Sequence, residues 1–112
     1  MAFTIEITEV GEAEFPLIAV LHHSIHGQSG FESVLRARLS NEKDVLVLMA
    51  HLEGNPLGYA IGFGRSGGRF EVFSSGVLPQ YAGENVQTQL DRQMEMFAKA
   101  RGYREVVAGT GA

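Results

Sequence analysis

Three strand-length segments stand in a row with only tight turns between them. That succession commits the centre of the chain to an antiparallel meander. Val45–Leu52 (VLVLMAHL) is a continuous apolar run of strand length. Glu53-Gly54-Asn55-Pro56 has turn chemistry, and Leu57–Gly64 reads as the next strand. Arg65-Ser66-Gly67-Gly68 is a second turn, and Arg69–Val77 the third strand. Connections this short join antiparallel neighbours.

The flanks are helical and strand-like in alternation. Phe3, Ile5 and Ile7 alternate with Thr4, Glu6 and Thr8, the pattern of a half-exposed strand. A helix is expected from Glu12 to about Ile25, with Phe15, Ile18, Ala19, Leu21 and Ile25 buried. Glu12 and Glu14 suit the positive end of its dipole, and Pro16 requires a place in its first turn. Gly27–Gly30 is a break. Ser29 and Glu32 then form an S-x-x-E capping box, opening a short helix with Phe31, Val34, Leu35 and Leu39 on one face. Leu78–Gly83 is expected to be a loop. Glu84–Arg101 is a helix burying Val86, Leu90, Met94 and Phe97, and Gly102 stops it. Arg104–Ala108 is a last short strand, reached by a right-handed crossover and therefore parallel to the strand before. The order is β-α-α-β-β-β-α-β. It describes an α/β (α+β) domain with a mixed, mainly antiparallel sheet of about five strands, and the 112 residues make one domain.

Composition removes several classes of function. The chain has no cysteine, which rules out disulfides, thiolate metal sites and a cysteine nucleophile. Its formal net charge is -4, without the basic excess of a nucleic-acid binder. No apolar run approaches the ~20 residues that span a bilayer. The start, MAFTIEITEV, lacks the charged and apolar regions of a secretory signal. The expectation is a cytoplasmic protein, with no membrane partner.

Gly58-Tyr59-Ala60, then Gly76-Val77-Leu78-Pro79-Gln80-Tyr81, then Phe97-Ala98-Lys99-Ala100-Arg101-Gly102-Tyr103 follow one another at set distances. In that order and spacing the chain resembles the GNAT family of N-acetyltransferases over nearly its whole length. The resemblance implies acetyl-CoA in a slot between the fourth and fifth strands, with the pantetheine arm on backbone near Val77. It implies a pyrophosphate site on the backbone of Gly83, Asn85 and Val86, at the N-terminus of the following helix. Free N–H groups and the helix dipole favour an anion at such a place.

The family signature there is Arg or Gln, two residues, Gly, one residue, then Gly or Ala. In register with Tyr81, those positions hold Ala82, Asn85 and Gln87, and Glu84 adds a carboxylate. A register starting at Gln80 keeps Gln80 and Gly83 but puts Asn85 at the Gly/Ala position. Family members usually continue past the fifth strand through a helix and two strands, and that helix often carries a tyrosine that protonates the CoA thiol. This sequence runs to Ala112 and has no counterpart. An uncovered fifth strand is then expected, and with it a homodimer.

The resemblance implies a glutamate base near Glu71, on the strand before the slot. The plainer reading of Glu71 is a strand carboxylate paired with Arg65 or Arg69. His22, His23 and His26 form H-H-x-x-H, with His22 and His26 on one helix face. No H-E-x-x-H motif accompanies them, and a groove-lining role is expected rather than a metal site. Ser74 and Ser75 lie outside any G-x-S-x-G elbow and read as strand serines beside the pantetheine track. Two functions compete. One is acetyl transfer from acetyl-CoA to a small-molecule amine or a protein amino group. The other is a non-catalytic binding or dimeric module that has kept the scaffold and lost the cofactor.

Overall fold

The computed structural model describes residues 4–83 and 85–109. Phe3, expected in the first strand, and Glu84, expected in the phosphate loop, lie outside them. Five strands form one sheet in sequential order: β1 (Ile5–Glu9), β2 (Lys43–Leu52), β3 (Asn55–Arg65), β4 (Arg69–Val77) and β5 (Glu105–Ala108). The first four are antiparallel neighbours, and β4 and β5 run parallel. Helices α1 (Phe15–His26) and α2 (Phe31–Leu39) precede the meander, and α3 (Val86–Ala100) makes the crossover to β5.

The continuous apolar run of β2 is explained by cover on both faces. Leu46, Leu48 and Ala50 point towards Val86, Leu90, Met94 and Ala98 of α3. Val47 and Met49 point the other way, to Phe15, Ile18 and Leu21 of α1 and Phe31 and Leu35 of α2. The β2–β3 turn is tighter than the sequence implied. Glu53 (φ 51°) and Gly54 (φ 82°) alone connect paired Leu52 and Asn55, a conformation suited to a two-residue hairpin.

Helix ends follow sequence reasoning in two places and depart from it in a third. Pro16 sits in the first turn of α1, after a 3-10 turn at Glu12–Glu14. At the end of α3, Gly102 takes φ 86°. Tyr103 N–H there donates to the Ala98 carbonyl and Gly102 N–H to the Lys99 carbonyl, the paired bonds of a Schellman stop. The Ser29–Glu32 capping box does not form. Gly30, at φ 82°, is the residue before α2, and no side chain caps it. Glu32 instead accepts both Nε and Nη2 of Arg36 one turn on. Val34, expected on the buried face of α2, is 47 % exposed, because the stripe that faces the core is Phe31 and Leu35, with Leu39 packed at its margin. On α3 the fourth core position belongs to Ala98. Phe97 lies at the margin, against Phe70 and under the Arg101 guanidinium.

Candidate functional site

The site is built around an irregularity in β4. Ile61 pairs with Ser74 but Gly62 pairs with Val72, so Phe73 is an extra residue on the β4 side. Such a bulge bends its strand and re-aims side chains. Phe73 packs into the core under α1 and α2, and Ser74 reaches Tyr59 of that same core. Before the bulge, Arg69–Val72 pair with β5. Gly109 N–H donates to the Val72 carbonyl at 2.8 Å. Beyond it, the stretch Phe73–Val77 meets no strand on that side among the described residues.

The consequence on the α3 side is a groove of ≈ 330 Å³ between β4, β5 and α3. Val72, Ser75, Gln87, Asp91, Met94 and Val106 are among the residues that line it. At its end α3 begins. Asn85 precedes the helix with φ 59°, in the left-handed region that suits glycine, and its side chain makes no cap hydrogen bond to the first turn. Asparagine is the side chain that best tolerates this conformation. The backbone at residue 85 is therefore glycine-like although the residue is not glycine. Val86 is fully buried and anchors the turn in the core under α3. Gln87 stands in the groove, its amide donating to Asp91 at 3.0 Å and to Ser75 Oγ at 3.4 Å.

On the other face of the sheet a smaller cavity of ≈ 120 Å³ opens beside the same bulge. It is lined by His22, Gln28, Phe31, Val34, Phe73 and Ser74, together with Ser29. A chain of polar groups runs along its wall, with His22 and Tyr59 buried and Ser74 and Gln28 at its more open ends. Ser74 Oγ lies 2.8 Å from Tyr59 Oη, and Tyr59 Oη lies 2.7 Å from His22 Nδ1. His22 Nε2 then meets Gln28 Oε1 at 3.1 Å. The His22 ring stacks on Phe31 with centroids 3.7 Å apart. Burial lowers the His22 pKa below 6.5, and neighbouring His26 adds to this. The bond to Gln28 opposes both. The Tyr59 hydroxyl is pushed up to about 12 by burial, against the effect of its bond to Ser74. At pH 7 the imidazole is neutral and the phenol protonated. Close approach of α1 to β4 rests on Gly76, where a Cβ would lie 2.9 Å from Ile25 Cγ2 and 3.2 Å from His26 Nε2. His26 Nε2 there donates to the Ser75 carbonyl at 3.2 Å.

The structure brings some of the expected residues together and leaves others apart. Val77 lies on β4 opposite Gly58, at the far end of the stretch that has no strand on the β5 side among the described residues. Gly83 stands in open space, where an added Cβ meets nothing. Gly83, Asn85 and Val86 thus lead from the end of β4 into the start of α3. Glu71 lies opposite Phe63 on β3, paired with Arg65 at 3.6 Å, and does not line the cavity. His22 and His26 share a face, yet both His22 ring nitrogens already have protein partners. Sequence reasoning passed over Tyr59 and Gln28. The signal for Tyr59 was present: a tyrosine inside an apolar strand has a hydroxyl that must find a partner once buried.

The family model described as an acetyltransferase (GNAT) domain matches residues 20–112. No curated protein sequence matches. Among solved structures, an aminoglycoside N-acetyltransferase in complex with CoA superposes with a TM-score of 0.79 at 15 % identity, over 99 % of this chain and 80 % of that one. An aminoglycoside 6'-N-acetyltransferase from Acinetobacter haemolyticus gives 0.76 at 21 %, over 95 % and 79 %. A ribosomal-protein-alanine N-acetyltransferase from Brucella melitensis gives 0.75 at 16 %, over 95 % and 79 %. At these identities the likeness is one of fold.

Proposed function

Since the chain belongs to the GNAT acetyltransferase family, we propose that it transfers an acetyl group from acetyl-CoA to an amine. The observation that carries this reading is the bulge in β4, beyond which Phe73–Val77 meet no strand on the β5 side among the described residues, beside an open groove. Extended backbone there offers the pantetheine amides the bonds a neighbouring strand would make. At the start of α3 the Asn85 side chain makes no cap hydrogen bond and its backbone is glycine-like, which suits a diphosphate. These features fit acetyl-CoA, and a neighbour of the same fold is known in complex with CoA. When bound, the cofactor supplies an acyl carbon activated as a thioester. Residues 73–77 would hold its arm, and Gly83, Asn85 and Val86 its phosphates. Backbone N–H near Val77 would stabilise charge developing on the acyl oxygen. The acceptor enters from the other face of the sheet, by the cavity at Ser74.

A second reading has its own observation. The Gln87 amide and the Asp91 carboxylate stand in the groove, and Gln87 bridges to Ser75. A side chain is thus present where the family signature asks for Gly or Ala. On that reading the chain is a non-catalytic module with a plugged slot.

Calorimetry with acetyl-CoA, with CoA as control, separates the two readings on wild-type protein and Gln87→Gly. Acetyl transfer requires micromolar binding by the wild type. Binding by Gln87→Gly alone identifies a plugged slot and the non-catalytic module. No binding by either protein at millimolar cofactor refutes the enzyme reading.

A further inference from the structure

The polar chain on the cavity wall has a direction. With the Gln28 carbonyl oxygen assigned to face His22 Nε2 at 3.1 Å, Nε2 carries the hydrogen and Nδ1 keeps its lone pair. Tyr59 must then donate its single proton to Nδ1, at 2.7 Å. Its oxygen is left to accept from Ser74, at 2.8 Å. Ser74 Oγ lines the cavity and has lone pairs to offer a donor there. The Ser74 and Tyr59 hydroxyl hydrogens thus both point along the series towards His22 Nδ1.

We propose that Ser74, Tyr59 and His22 form a proton relay that takes a proton from an amine bound in this cavity. Ser74 is the catalytic residue: His22 also lines the cavity, but both its ring nitrogens are bonded, to Tyr59 and Gln28, so Ser74 Oγ accepts from the amine and Tyr59 and His22 act through it. The step is a proton transfer and nothing else. An ammonium N–H bond breaks as its proton moves to Ser74 Oγ. The serine proton passes to Tyr59 Oη, and the tyrosine proton to His22 Nδ1. The positive charge leaves the amine, which keeps its lone pair, and resides on the imidazolium. His22 later returns the proton to solvent.

The surroundings of His22 suit a neutral acceptor. Phe31 of α2 stacks on it, Tyr59 of β3 and Ser74 of β4 lie beyond Nδ1, and Gln28 meets Nε2. The titratable group beside it on its own helix is His26, 4.7 Å away. No carboxylate lines the cavity. The same fact defines the amine. A cavity without a carboxylate does not hold a second cation, and a neutral imidazole is a mild base. At pH 7 about one α-amino group in ten is already unprotonated, against about one lysine-type amine in a few thousand. The relay is therefore matched to an α-amino group or an amine of similar basicity.

The inference rests on the acetyl-transfer reading but can be tested apart from it. Nitrogen NMR of the free protein reads the His22 tautomer. The relay requires Nε2–H in the wild type and a changed Nδ1 signal in Tyr59→Phe, a variant of the same shape. An Nδ1–H imidazole in the wild type overturns the proposal whatever the cofactor does. Transfer is then followed from acetyl-CoA to alanine amide, with Nα-acetyl-lysine amide as the basic competitor. Tyr59→Phe, Ser74→Ala and His22→Gln should each lose about 100-fold in kcat/KM, the usual weight of a positioned acid or base. Each should also lose the limb of the pH profile that the wild type shows below pH 6.5. Turnover within threefold of wild type in Tyr59→Phe and Ser74→Ala refutes the relay. Loss of that limb in Glu71→Gln instead transfers the role to the carboxylate and also refutes it. Failure of the functional reading looks different, because the wild type then binds no acetyl-CoA.

Discussion

Gly62 sits on β3 opposite the point where β4 bulges, and the site depends on what it leaves out. A Cβ at this position would lie 2.5 Å from Phe70 Cε2, 3.0 Å from the Glu71 carbonyl oxygen and 3.1 Å from the Met94 sulfur. The methionine can yield, but the Phe70 ring is fully buried and the Glu71 oxygen belongs to the backbone. Overpacking of this kind costs about 1–3 kcal/mol. Gly→Ala also removes freedom from the unfolded chain, which offsets about 0.4–1 kcal/mol. Gly62→Ala should therefore destabilise the fold by about 1–2 kcal/mol. With an unfolding entropy of ~2.1 cal/mol/K per residue over 112 residues, this lowers Tm by about 4–9 °C. Thermal unfolding followed by circular dichroism, and urea unfolding, read the effect. Gly11→Ala is the control, since nothing lies within 4 Å of its Cβ and its backbone is extended. Adding Phe70→Leu should weaken the effect of Gly62→Ala, because the two positions are in contact and their changes are not additive. A Gly62→Ala protein as stable as Gly11→Ala would refute the claim that α3 and the Phe70 ring are seated on bare backbone at the bulge.

Backbone conformation gives one further outcome and protonation two more. Asn85→Ala should lose about 1 kcal/mol, the penalty for an ordinary side chain in the left-handed region, while Asn85→Gly stays within about 0.5 kcal/mol of wild type. Urea midpoints distinguish them, and equal stability of all three would show that residue 85 does not adopt φ 59°. The His22 pKa is lowered in the fold, so the unfolded chain binds the proton first as pH falls below 6.5. The stability His22 contributes is present above pH 6.5 and is lost as pH falls through its folded pKa, and His22→Gln should remove that part of the slope. Tyr59 gives the opposite sign. Its pKa is raised to about 12, so its contribution is present below pH 10 and is lost as pH rises towards 12. The tyrosinate absorbance of wild type minus Tyr59→Phe should show a late-titrating phenol, and a difference titrating at pH 10 would contradict its burial.

Element order, the two hairpin turns, the burial stripe of α3 and the stop at Gly102 were legible from the sequence, because each is decided by residues close together in the chain. Val86, Leu90 and Met94 recur at helical spacing and do lie in the core. Gly102 ends α3 because the left-handed stop asks for a residue without a Cβ. Local signals failed where two solutions competed. Ser29 and Glu32 have the spacing of a cap, but Gly30 turned the chain in the left-handed region and Glu32 paired with Arg36. Asn85 stands in the sequence where the family signature has glycine, and only the structure shows that its backbone, at φ 59°, lies in the left-handed region that suits glycine. Only the tertiary structure decided the site. The extra residue at Phe73 is a matter of register between β3 and β4, and nothing within β4 alone specifies it. His22, Gln28, Tyr59 and Ser74 come from a helix, a loop and two strands, and the hydroxyl of Tyr59 acquires its partners only when α1 closes over the sheet. Hydrogen-bond direction is a property of the assembled network: each proton is placed by the acceptor next to it, and those acceptors are distant in sequence.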